Sequence, residues 1–592
     1  MSLQYTKILG STASVSQKTW ILHEYDENLA LTISQRHGLH DTISKILALR
    51  GVTLDEVDNF LNPTIRNYLP DPLRFKDMPK IANLFANRII NQEPIGIFGD
   101  YDVDGATSSA LLARFFSSLG CQAEIFIPDR LDDGYGPNLE ALKKLAANGA
   151  KTIVTVDCGS TAFVPLEEAA KLGIEIAIID HHACEAIMPK CIALINPKRL
   201  DEEMGHTELA AVGVVFLTIV ATNKILRDKG FYNNRPEPNL FAWLDLVALG
   251  TLCDMAPLIR LNRAYVSQGL KIMNQKGNTG IMALAEVSGI SETLKAYHLG
   301  FVLGPRLNAP GRVGFADCGA RLLFTDNKDR AKDLAGILNQ NNLDRQIIEA
   351  EVLEQADKII ATGKYVNENF ILVVGHDWHQ GVIGIVASRL KEKYNRVICV
   401  VTISGSTAKG SGRSILEVDL GEMVISARQI GLLNAGGGHH MAAGFSVNTD
   451  RIDELYNFFN DHITAQLKGE KNLPKLEIDG LMTLDGANIS LAKQLDLLEP
   501  YGSANMPPKF AFLNIKVVKA EIVGNGHVRA ILTDAMNHNR IKAIAFKSAE
   551  TPIGQTLLKS NGQFLHIAGR LKAENYQGRE SVQINIEDVA MV

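Results

Sequence analysis

Three aspartates occupy alternate positions directly after a short apolar run. The segment reads GDYDVDG over residues 99–105 and contains Asp100, Asp102 and Asp104. Mutual repulsion raises the pKa of carboxyl groups crowded in this way unless cations offset it, and divalent metal ions do so efficiently. We therefore predict a metal site here. The alternative is a solvated acidic turn, or a cap for a helix that begins near Ala106.

Two further apolar runs end in residues that can bind metal or transfer protons. TIVTV precedes Asp157, and IEIAII precedes Asp180, His181 and His182. In open α/β sheets, ligands bind beyond the carboxyl ends of the strands, so we expect these side chains to meet at one sheet edge. For the histidine pair the alternative is a helix cap. Asp254, in LVALGTLCDMAPL, is a further candidate that its pattern alone does not distinguish from a helix-end aspartate.

The elements around these residues predict the architecture. Short apolar runs alternate with helical stretches from residue 95, which is typical of a parallel α/β sheet. A long helix is predicted over about 328–361, and a second α/β unit follows, with glycine-rich loops at 410–413 and 435–438. Beyond residue 508, five strand-like segments with a helix after the third have the order of an OB-fold barrel.

Composition limits the class of protein. A chain of 592 residues with 46% hydrophobic and 21% charged residues is typical of a multidomain globular protein. No apolar run approaches the roughly 18 residues needed to span a bilayer, and the N-terminus lacks the features of a secretory signal. Seven scattered cysteines without a CxxC pair suit a reducing compartment. We therefore expect a cytoplasmic protein with no membrane segment and no zinc finger.

The motif set resembles a known family. GDYDVDG, VTVDCG, IDHH and LGTLCDMAPL resemble the four phosphoesterase motifs of the DHH family. Downstream, similarity to RecJ-type members and their DHHA1 domain is carried by GPRLNAPGR (304–312), LNQNNLDRQ (338–346), WHQGVIGIVASRL (378–390), GSGRS (410–414) and GGGHHMAAG (436–444). The resemblance implies an exonuclease that degrades single-stranded DNA from its 5′ end to mononucleotides in recombination and repair. One departure is Phe98, where many DHH proteins have a metal-binding histidine.

The predicted fold is α/β, with two α/β lobes, a DHH parallel-sheet domain and a DHHA1 domain, joined by a long helix and followed by a C-terminal OB-fold β-barrel. The predicted parts are an N-terminal helical region (1–75), the DHH catalytic domain (76–265), a helical connector (266–361), the DHHA1 domain (362–465) and the OB-fold domain (466–592).

The ligand types point to particular ions. Carboxylates with a neutral imidazole suit Mn²⁺ or Mg²⁺, whereas zinc sites favour cysteine and histidine. We expect two ions, preferably manganese, to activate a water and stabilise in-line displacement at phosphorus. The resemblance implies five metal ligands, which are Asp102, Asp104, Asp157, His181 and Asp254. Of these, Asp157 is expected to bridge the two ions. The resemblance also implies supporting catalytic roles for Asp100, Asp180 and His182. For His182 the role is either contact with the scissile phosphate or protonation of the leaving oxygen.

Candidate phosphate contacts lie downstream. Arginine forks and exposed backbone N–H groups bind phosphate oxygens. The residues concerned are Arg306, Arg312, Ser411, Arg413, Gly437, Gly438 and His439. Taken alone they are equally well surface arginines and turn glycines, and the resemblance favours phosphate contacts. Arg130 resembles a position that meets the terminal 5′-phosphate.

The C-terminal segment is locally basic although the whole chain carries a net charge of −6, which argues against binding polyanions over its entire surface. Residues 511–592 contain ten Lys/Arg, including Lys516, Arg529, Lys542, Lys547 and Arg570, against seven Asp/Glu. Phe546 and Tyr576 are candidates for base stacking, with barrel core as the alternative.

Two other functions fit part of the pattern. One is a phosphodiesterase of the same family that acts on short RNA or cyclic dinucleotides, although a small ligand has no need of an OB-like domain. The other is a DNA-binding scaffold without catalysis, which the complete ligand set argues against. The partners expected for the exonuclease are single-stranded DNA, single-strand-binding protein and a recombination helicase, and the expected state is a monomer.

Overall fold

A computed structural model describes residues 5–10, 12–129, 136–275, 277–363, 368–467, 473–536, 538–560, 562–576 and 579–592. Two compact units are present: residues 1–67, 258–260 and 472–592 form the first, and residues 68–257 and 261–471 form the second. Within the described ranges, no helix has the length and apolar character required to cross a membrane. The predictions for Arg130 and for the side chain of Tyr576 lie outside the described part of the chain.

The N-terminal segment contains two strands as well as the predicted helices. Its elements are β1 (Tyr5–Lys7), β2 (Thr19–His23), α1 (Glu27–His37), α2 (Asp41–Leu49), α3 (Val57–Leu61) and α4 (Ile65–Tyr68), and α5 (Met78–Asn91) follows. A capping box begins the turn before α3, where the Glu56 carboxylate accepts a hydrogen bond from the Thr53 N–H at 3.1 Å.

The first lobe of the second unit is the predicted parallel α/β sheet. Its elements are β3 (Ile95–Gly99), α6 (Val103–Ser118), β4 (Ala123–Phe126), α7 (Leu139–Ala147), β5 (Thr152–Val156), α8 (Phe163–Lys171), β6 (Ile176–Ile179), β7 (Ala193–Ile195), α9 (Ala211–Asp228) and α10 (Leu244–Cys253). The strand order is β4-β3-β5-β6-β7 and every pairing is parallel. Each residue of the three central strands β3, β5 and β6 is buried, which explains their continuous apolar runs.

Helices lead from this lobe to the next. They are α11 (Arg260–Asn274), α12 (Thr279–Val287), α13 (Ala296–His298), α14 (Gly304–Leu307), α15 (Cys318–Phe324) and α16 (Lys328–Ala361). A π-helical stretch, Leu299–Leu303, joins α13 to α14. The long helix predicted over 328–361 is confirmed by α16, whose buried positions include Ala331, Ala335 and Leu338.

The second lobe is a mixed sheet. Its elements are β8 (Phe370–His376), α17 (Gln380–Tyr394), β9 (Val397–Ser404), β10 (Thr407–Arg413), α18 (Leu420–Gln429), β11 (Ala435–His439), β12 (Ala442–Asn448) and α19 (Ile452–Leu467), with strand order β11-β12-β10-β9-β8. The prediction of glycine-rich loops at 410–413 and 435–438 is wrong, because both segments are strands. A Cβ at Gly410 would clash with the Phe445 ring, so close packing rather than a turn requires this glycine.

The C-terminal segment forms the predicted barrel. Its elements are β13 (Lys475–Ile478), β14 (Gly480–Leu481), α20 (Ile489–Leu495), β15 (Phe510–Val523), β16 (His527–Thr533), β17 (Arg540–Ala545), α21 (Pro552–Lys559), β18 (Phe564–Tyr576) and β19 (Arg579–Met591). Neighbouring strands run β15-β16-β17-β19-β18, and β18 pairs again with β15, which closes the barrel. The OB-fold prediction is confirmed.

The N-terminal segment packs directly on this barrel. Strand β2 pairs with β1 on one side and in parallel with β13 on the other. Ile33 and Ile46 share one hydrophobic core with Leu491 and Phe512. These contacts explain why the first unit is discontinuous in sequence.

A buried carboxylate on the last strand accepts hydrogen bonds from two side chains near the N-terminus. Asp588 accepts hydrogen bonds from Trp20 Nε1 at 2.9 Å and from the Ser16 hydroxyl. We expect Asp588→Ala to lower the free energy of unfolding of this unit by about 1–3 kcal/mol, because the buried Trp20 donor is left unpaired. Urea unfolding followed by tryptophan fluorescence measures the effect. Asp55→Ala, at an exposed position, is the control, and an equal midpoint for both variants would contradict the role of Asp588.

Candidate active site

Three neighbouring strands deliver acidic residues to one edge of the first sheet. Strands β3, β5 and β6 are adjacent in the sheet, and an aspartate directly follows the last residue of each one. These residues are Asp100, Asp157 and Asp180, respectively. The register pairs Gly99 with Val156 and Val156 with Ile179, so the three carboxylates start from the same level of the sheet. The structure therefore brings together the strand-end aspartates that the sequence placed at this edge.

Asp102 and Asp104 are held by the start of α6. Asp102 is the N-cap, and its carboxylate accepts a hydrogen bond from the Gly105 N–H at 3.0 Å. Asp104 is fully buried and accepts from the N–H groups of Ala211 at 2.6 Å and Val212 at 2.9 Å, at the N-terminus of α9. The positive end of that helix stabilises the carboxylate.

His181 occupies the centre of the cluster. Its Nε2 lies 3.2 Å from Asp157 Oδ1 and 3.8 Å from Asp104 Oδ2, and its Nδ1 lies 3.9 Å from Asp254 Oδ2. Nδ1 also lies 3.1 Å from the carbonyl oxygen of Leu209. Because a carbonyl only accepts, Nδ1 carries the proton of the neutral ring, and the Nε2 lone pair points to the carboxylates.

Among the described residues, three overlapping groups of side chains have geometry suited to a metal ion. In each group one ligand atom per residue lies within 4.8 Å of the others. The groups are Asp157, His181 and His182; Asp104, His181 and Asp254; and Asp100, Asp102 and Asp157. Asp157 and His181 each belong to two of these groups. Of the two, only the Asp157 carboxylate has two oxygen atoms available to two ions, because Nδ1 of His181 donates to the Leu209 carbonyl.

Burial and mutual repulsion shift the pKa values of the cluster. Burial, followed by neighbouring aspartates, raises the pKa of Asp104 and of Asp157 well above the usual range. Burial and the charge of Asp102 raise the pKa of Asp254 to about 7. Burial, with the neighbouring His182 charge, lowers the pKa of His181 to about 4, so its ring is neutral. The site as a whole has an excess of negative charge that a cation would offset.

Unpaired polar atoms test whether a divalent ion fits. Both carboxylate oxygens of Asp157 and Nε2 of His181 are buried, and among the described residues they have no hydrogen-bond partner. Leaving such atoms unpaired costs free energy. Asp157 also has φ = 62°, a left-handed conformation that is rare for a residue other than glycine. The unpaired atoms and this strain are both explained if Asp157 and His181 bind a metal ion.

Asp180 organises the loop that carries the histidines. Its carboxylate accepts hydrogen bonds from the N–H groups of Ser160, His181 and His182 at 3.0, 2.7 and 3.2 Å, and from His182 Nδ1 at 2.8 Å. Although burial raises the pKa of Asp180, these hydrogen bonds and the His182 charge lower it more, and the net value lies well below the usual range. Burial alone would lower the pKa of His182, but the hydrogen bond to Asp180 and the Asp180 charge raise it to about 9.

Phe98 supplies no ligand. Its side chain is fully buried in the core and stacks on Phe126, with ring centroids 5.6 Å apart and an interplanar angle of 27°. The ligand atoms on this side of the cluster therefore come from Asp100 and Asp102, which share a group with Asp157.

Two of the candidate phosphate-binding arginines contact helix α17. Gly381, Gly384 and Ser388 lie on one face of this helix. Arg312 Nη1 donates to the Gly381 carbonyl at 2.8 Å, and Arg413 Nε donates to the Ser388 hydroxyl at 3.0 Å. Small residues on this face thus allow arginines from two distant segments to lie along the same helix.

Two residues that contact these arginines were missed from the sequence, Ser388 and Asn339. Ser388 accepts from Arg413 Nε and Asn339 Oδ1 accepts from Arg306 Nε, both at 3.0 Å, whereas the predicted residue Ser411 accepts from Arg413 Nη1 at 3.3 Å. Asn339 lies in the motif LNQNNLDRQ and Ser388 in WHQGVIGIVASRL, but neither type of residue signals arginine positioning by itself. Only the packing of α16 and α17 reveals their role.

The remaining candidates lie on exposed surfaces. Gly437, Gly438 and His439 are on β11, the edge strand of the second sheet, so backbone groups along one side of β11 are not used by the sheet. The predicted anion cradle at 410–413 is wrong, because β10 lies between β9 and β12 and its backbone pairs with both. In the barrel, Phe546 is 56% exposed, whereas Arg529 and Arg570 form ion pairs with Glu521 and Glu587.

Fold and site together define a metal-dependent phosphoesterase of the DHH class. The family profile described as the DHH family, N-terminal domain, matches residues 94–251. The DHHA1 domain matches residues 367–465, and the RecJ OB domain matches residues 478–588.

Curated relatives identify the particular family. The chain is 35% identical over 507 residues to the single-stranded-DNA-specific exonuclease RecJ of Salmonella typhimurium, covering 83% of this chain and 86% of the relative. It is 33% identical over 567 residues to RecJ of Escherichia coli, covering 92% and 95%. The crystal structure of RecJ in complex with Mn²⁺ from Thermus thermophilus is 26% identical, covers 95% of this chain and 78% of that chain, and has a TM-score of 0.78. The chain belongs to the RecJ family.

Proposed function

We propose that this protein is a metal-dependent exonuclease that hydrolyses single-stranded DNA from the 5′ end and releases 5′-mononucleotides in recombination and repair. The observation that carries the proposal is the buried, unpaired Asp157 carboxylate beside His181 Nε2 at the sheet edge. The proposal is supported by the curated relatives, which are named as single-stranded-DNA-specific exonucleases. The chain of 592 residues retains both lobes and the barrel that this activity needs.

The proposed metal ligands are those that the family resemblance implies, and the clustering of their side chains supports the assignment. Asp102, Asp104, Asp157, His181 and Asp254 would hold two divalent ions, with Asp157 as the shared ligand and Mn²⁺ preferred over Mg²⁺. When bound, such ions lower the pKa of a water and stabilise the charge that develops at phosphorus. Hard carboxylate oxygens with one neutral imidazole suit these ions. The Mn²⁺ complex of the Thermus thermophilus protein supports the use of a divalent metal ion.

The remaining residues of the cluster position ligands and substrate. Asp180 fixes the backbone of the histidine pair, and Asp100 shares a group with Asp102 and Asp157. We assign His182 to the scissile phosphate, because its ring is 41% exposed and lies beside the proposed metal ligands, with Nδ1 3.9 Å from Asp157 Oδ1. The chain thereby places a cationic ring beside the metal ligands, where an anionic phosphate is attracted.

The strand is gripped mainly through its phosphates. We assign this role to Arg306, Arg312, Ser411, Arg413, Gly437, Gly438 and His439, and the terminal 5′-phosphate to Arg130. The barrel adds a further surface for the strand. A channel that admits one strand excludes duplex by its width, so specificity depends on shape rather than on base reading. The proposed partners are single-strand-binding protein and a helicase. We also propose that the enzyme is monomeric and cytoplasmic, and that its domain boundaries are those predicted from the sequence.

Polarity is tested with strands blocked at one end. A single strand protected by phosphorothioate linkages at its 3′ end should be degraded to mononucleotides, and the same strand protected at its 5′ end should persist. Chromatography of the products identifies 5′-mononucleotides. Degradation of the 5′-protected strand alone would reverse the proposed direction.

Asn339 should position Arg306 for phosphate binding. Asn339→Ala removes the acceptor of the Arg306 Nε hydrogen bond, worth about 0.5–1.5 kcal/mol. We expect KM for single-stranded DNA to rise by about 2- to 12-fold with little change in kcat. Gln340→Ala is the matched control, because Gln340 donates to Asp344 on the exposed side of α16. A fall in kcat with unchanged KM would contradict the assignment.

A further inference from the structure

Two exposed aromatic side chains stack on each other in the helical segment that follows the first lobe. Tyr297 and Phe301 are 63% and 73% exposed, and their ring centroids lie 5.2 Å apart at an interplanar angle of 25°. Apolar surface left in water costs about 25 cal/mol per Å² relative to burial. None of the assigned roles at the metal cluster or the phosphate contacts uses these two rings.

The segment that carries the rings packs against the end of α10, where Asp254 lies. Cys253 Sγ donates to the Leu299 carbonyl at 3.5 Å. Arg306 follows on the same helical stretch, and its Nη1 donates to the Val302 carbonyl at 2.7 Å. The segment that carries the aromatic pair therefore contacts the residue next to a proposed metal ligand and leads directly to a proposed phosphate contact.

The backbone beneath Phe301 is unusual. Leu299–Leu303 is π-helical, between the short helices α13 and α14. π-helical turns are rare and are frequently found at functional sites. This observation is independent of side-chain exposure and points to the same segment.

We propose that Tyr297 and Phe301 form a stacking platform for bases of the single strand held at the active site. The proposal rests on the proposed nuclease function and adds a contact to bases where the other assigned contacts are to phosphates. Every base has an aromatic face, so stacking on such a platform tolerates any sequence. Bases inside a duplex already stack on each other, and the platform therefore favours single strands. The occupant is DNA rather than a second copy of the chain, because the helical segment that carries the rings contacts Cys253, the neighbour of Asp254, and continues along the chain to Arg306.

Abasic DNA separates stacking from phosphate binding. Fluorescence anisotropy of the full chain in EDTA, which stops cleavage, gives the affinity for an oligo-dT strand and for an abasic strand of equal length. We expect Phe301→Ala to weaken binding of oligo-dT by about tenfold, within the range measured for loss of one stacked base. Affinity for the abasic strand should change less than about twofold, and Tyr297→Phe, which keeps the ring, should bind both strands like the wild type.

Phe241→Ala is the matched control. Phe241 is 51% exposed and lies just before α10, at the end of that helix opposite Asp254, about 15 Å away by the helical rise. It should leave the affinity for both strands unchanged. In a further series, a single abasic site is placed at successive positions along the strand. The effect of Phe301→Ala should disappear when the abasic site occupies one or two particular adjacent positions, where the stacked base is missing.

The outcomes distinguish the platform from the nuclease. Unchanged oligo-dT affinity in Phe301→Ala, or equal weakening on both strands, would overturn the platform. A change in oligomeric state by sedimentation, with DNA affinity unaltered, would assign the rings to contacts between copies and would also overturn it. Cleavage of oligo-dT in Mn²⁺ is measured alongside, so failure of the nuclease function itself is seen separately as intact strand.

Discussion

Asp157→Asn should abolish both Mn²⁺ binding and cleavage of single-stranded DNA. The substitution keeps the size of the side chain and removes the charge shared by two of the three candidate metal groups. Loss of a group that only supports a metal ligand costs about 10- to 100-fold in affinity or activity, so loss of a ligand itself should exceed about 100-fold. Isothermal titration with Mn²⁺ and release of nucleotides from a labelled strand measure the two effects.

The same variant should be at least as stable as the wild type in EDTA. Wild-type Asp157 is a buried carboxylate with no hydrogen-bond partner among the described residues, and its raised pKa reflects that cost. Removing the charge removes the penalty, as expected of a residue kept for function rather than stability. Asp228→Asn, on the exposed side of α9, is the control for both measurements. Normal cleavage by Asp157→Asn, or its unfolding, would contradict the role of Asp157.

Asp180→Ala should have the second-largest effect and should lower stability as well as activity. The side chain accepts three backbone N–H groups and the His182 ring, and it is almost fully buried. Each buried donor left unpaired costs about 1–3 kcal/mol. Displacement of His181 should also reduce activity by about 10- to 100-fold, the range for groups that orient metal ligands. Thermal unfolding and kcat measurements test both effects.

Asp180→Asn separates orientation from folding. The amide retains one oxygen, which can still accept from the His181 and His182 N–H groups. It loses the acceptor for Ser160, so we expect its stability to lie between those of the wild type and Asp180→Ala. If Asp180→Ala were as active and as stable as the wild type, the supporting role of Asp180 would be wrong.

The residues at the sheet edge could be predicted from sequence, because the carboxyl ends of parallel strands all lie at the same edge of a sheet. Buried strands appear as continuous apolar runs, and the residue after each run must lie at the carboxyl edge. Asp100, Asp157 and Asp180 follow directly from this rule. Asp254 does not, because only the packing of α10 against α6 brings a helix-end aspartate to His181.

Other features depend on contacts between residues distant in the sequence. β1 and β2 were missed because β2, to which β1 pairs, has its other partner, β13, more than 450 residues away in the chain. The glycines of β10 and β11 were interpreted as loops, whereas Gly410 is required by the Phe445 ring on the neighbouring strand. Glycine indicates either a turn or a close approach, and sequence alone does not separate the two.

The most direct test of the proposed function is nucleotide release from end-labelled single strands and from the matched duplex, with Mn²⁺, Mg²⁺ or EDTA. The proposed function predicts stepwise shortening of the single strand with either metal, no shortening in EDTA, and an intact duplex under all conditions. A strand that is bound but never shortened, whichever metal is added, would contradict it and would leave a DNA-binding scaffold built on the same fold.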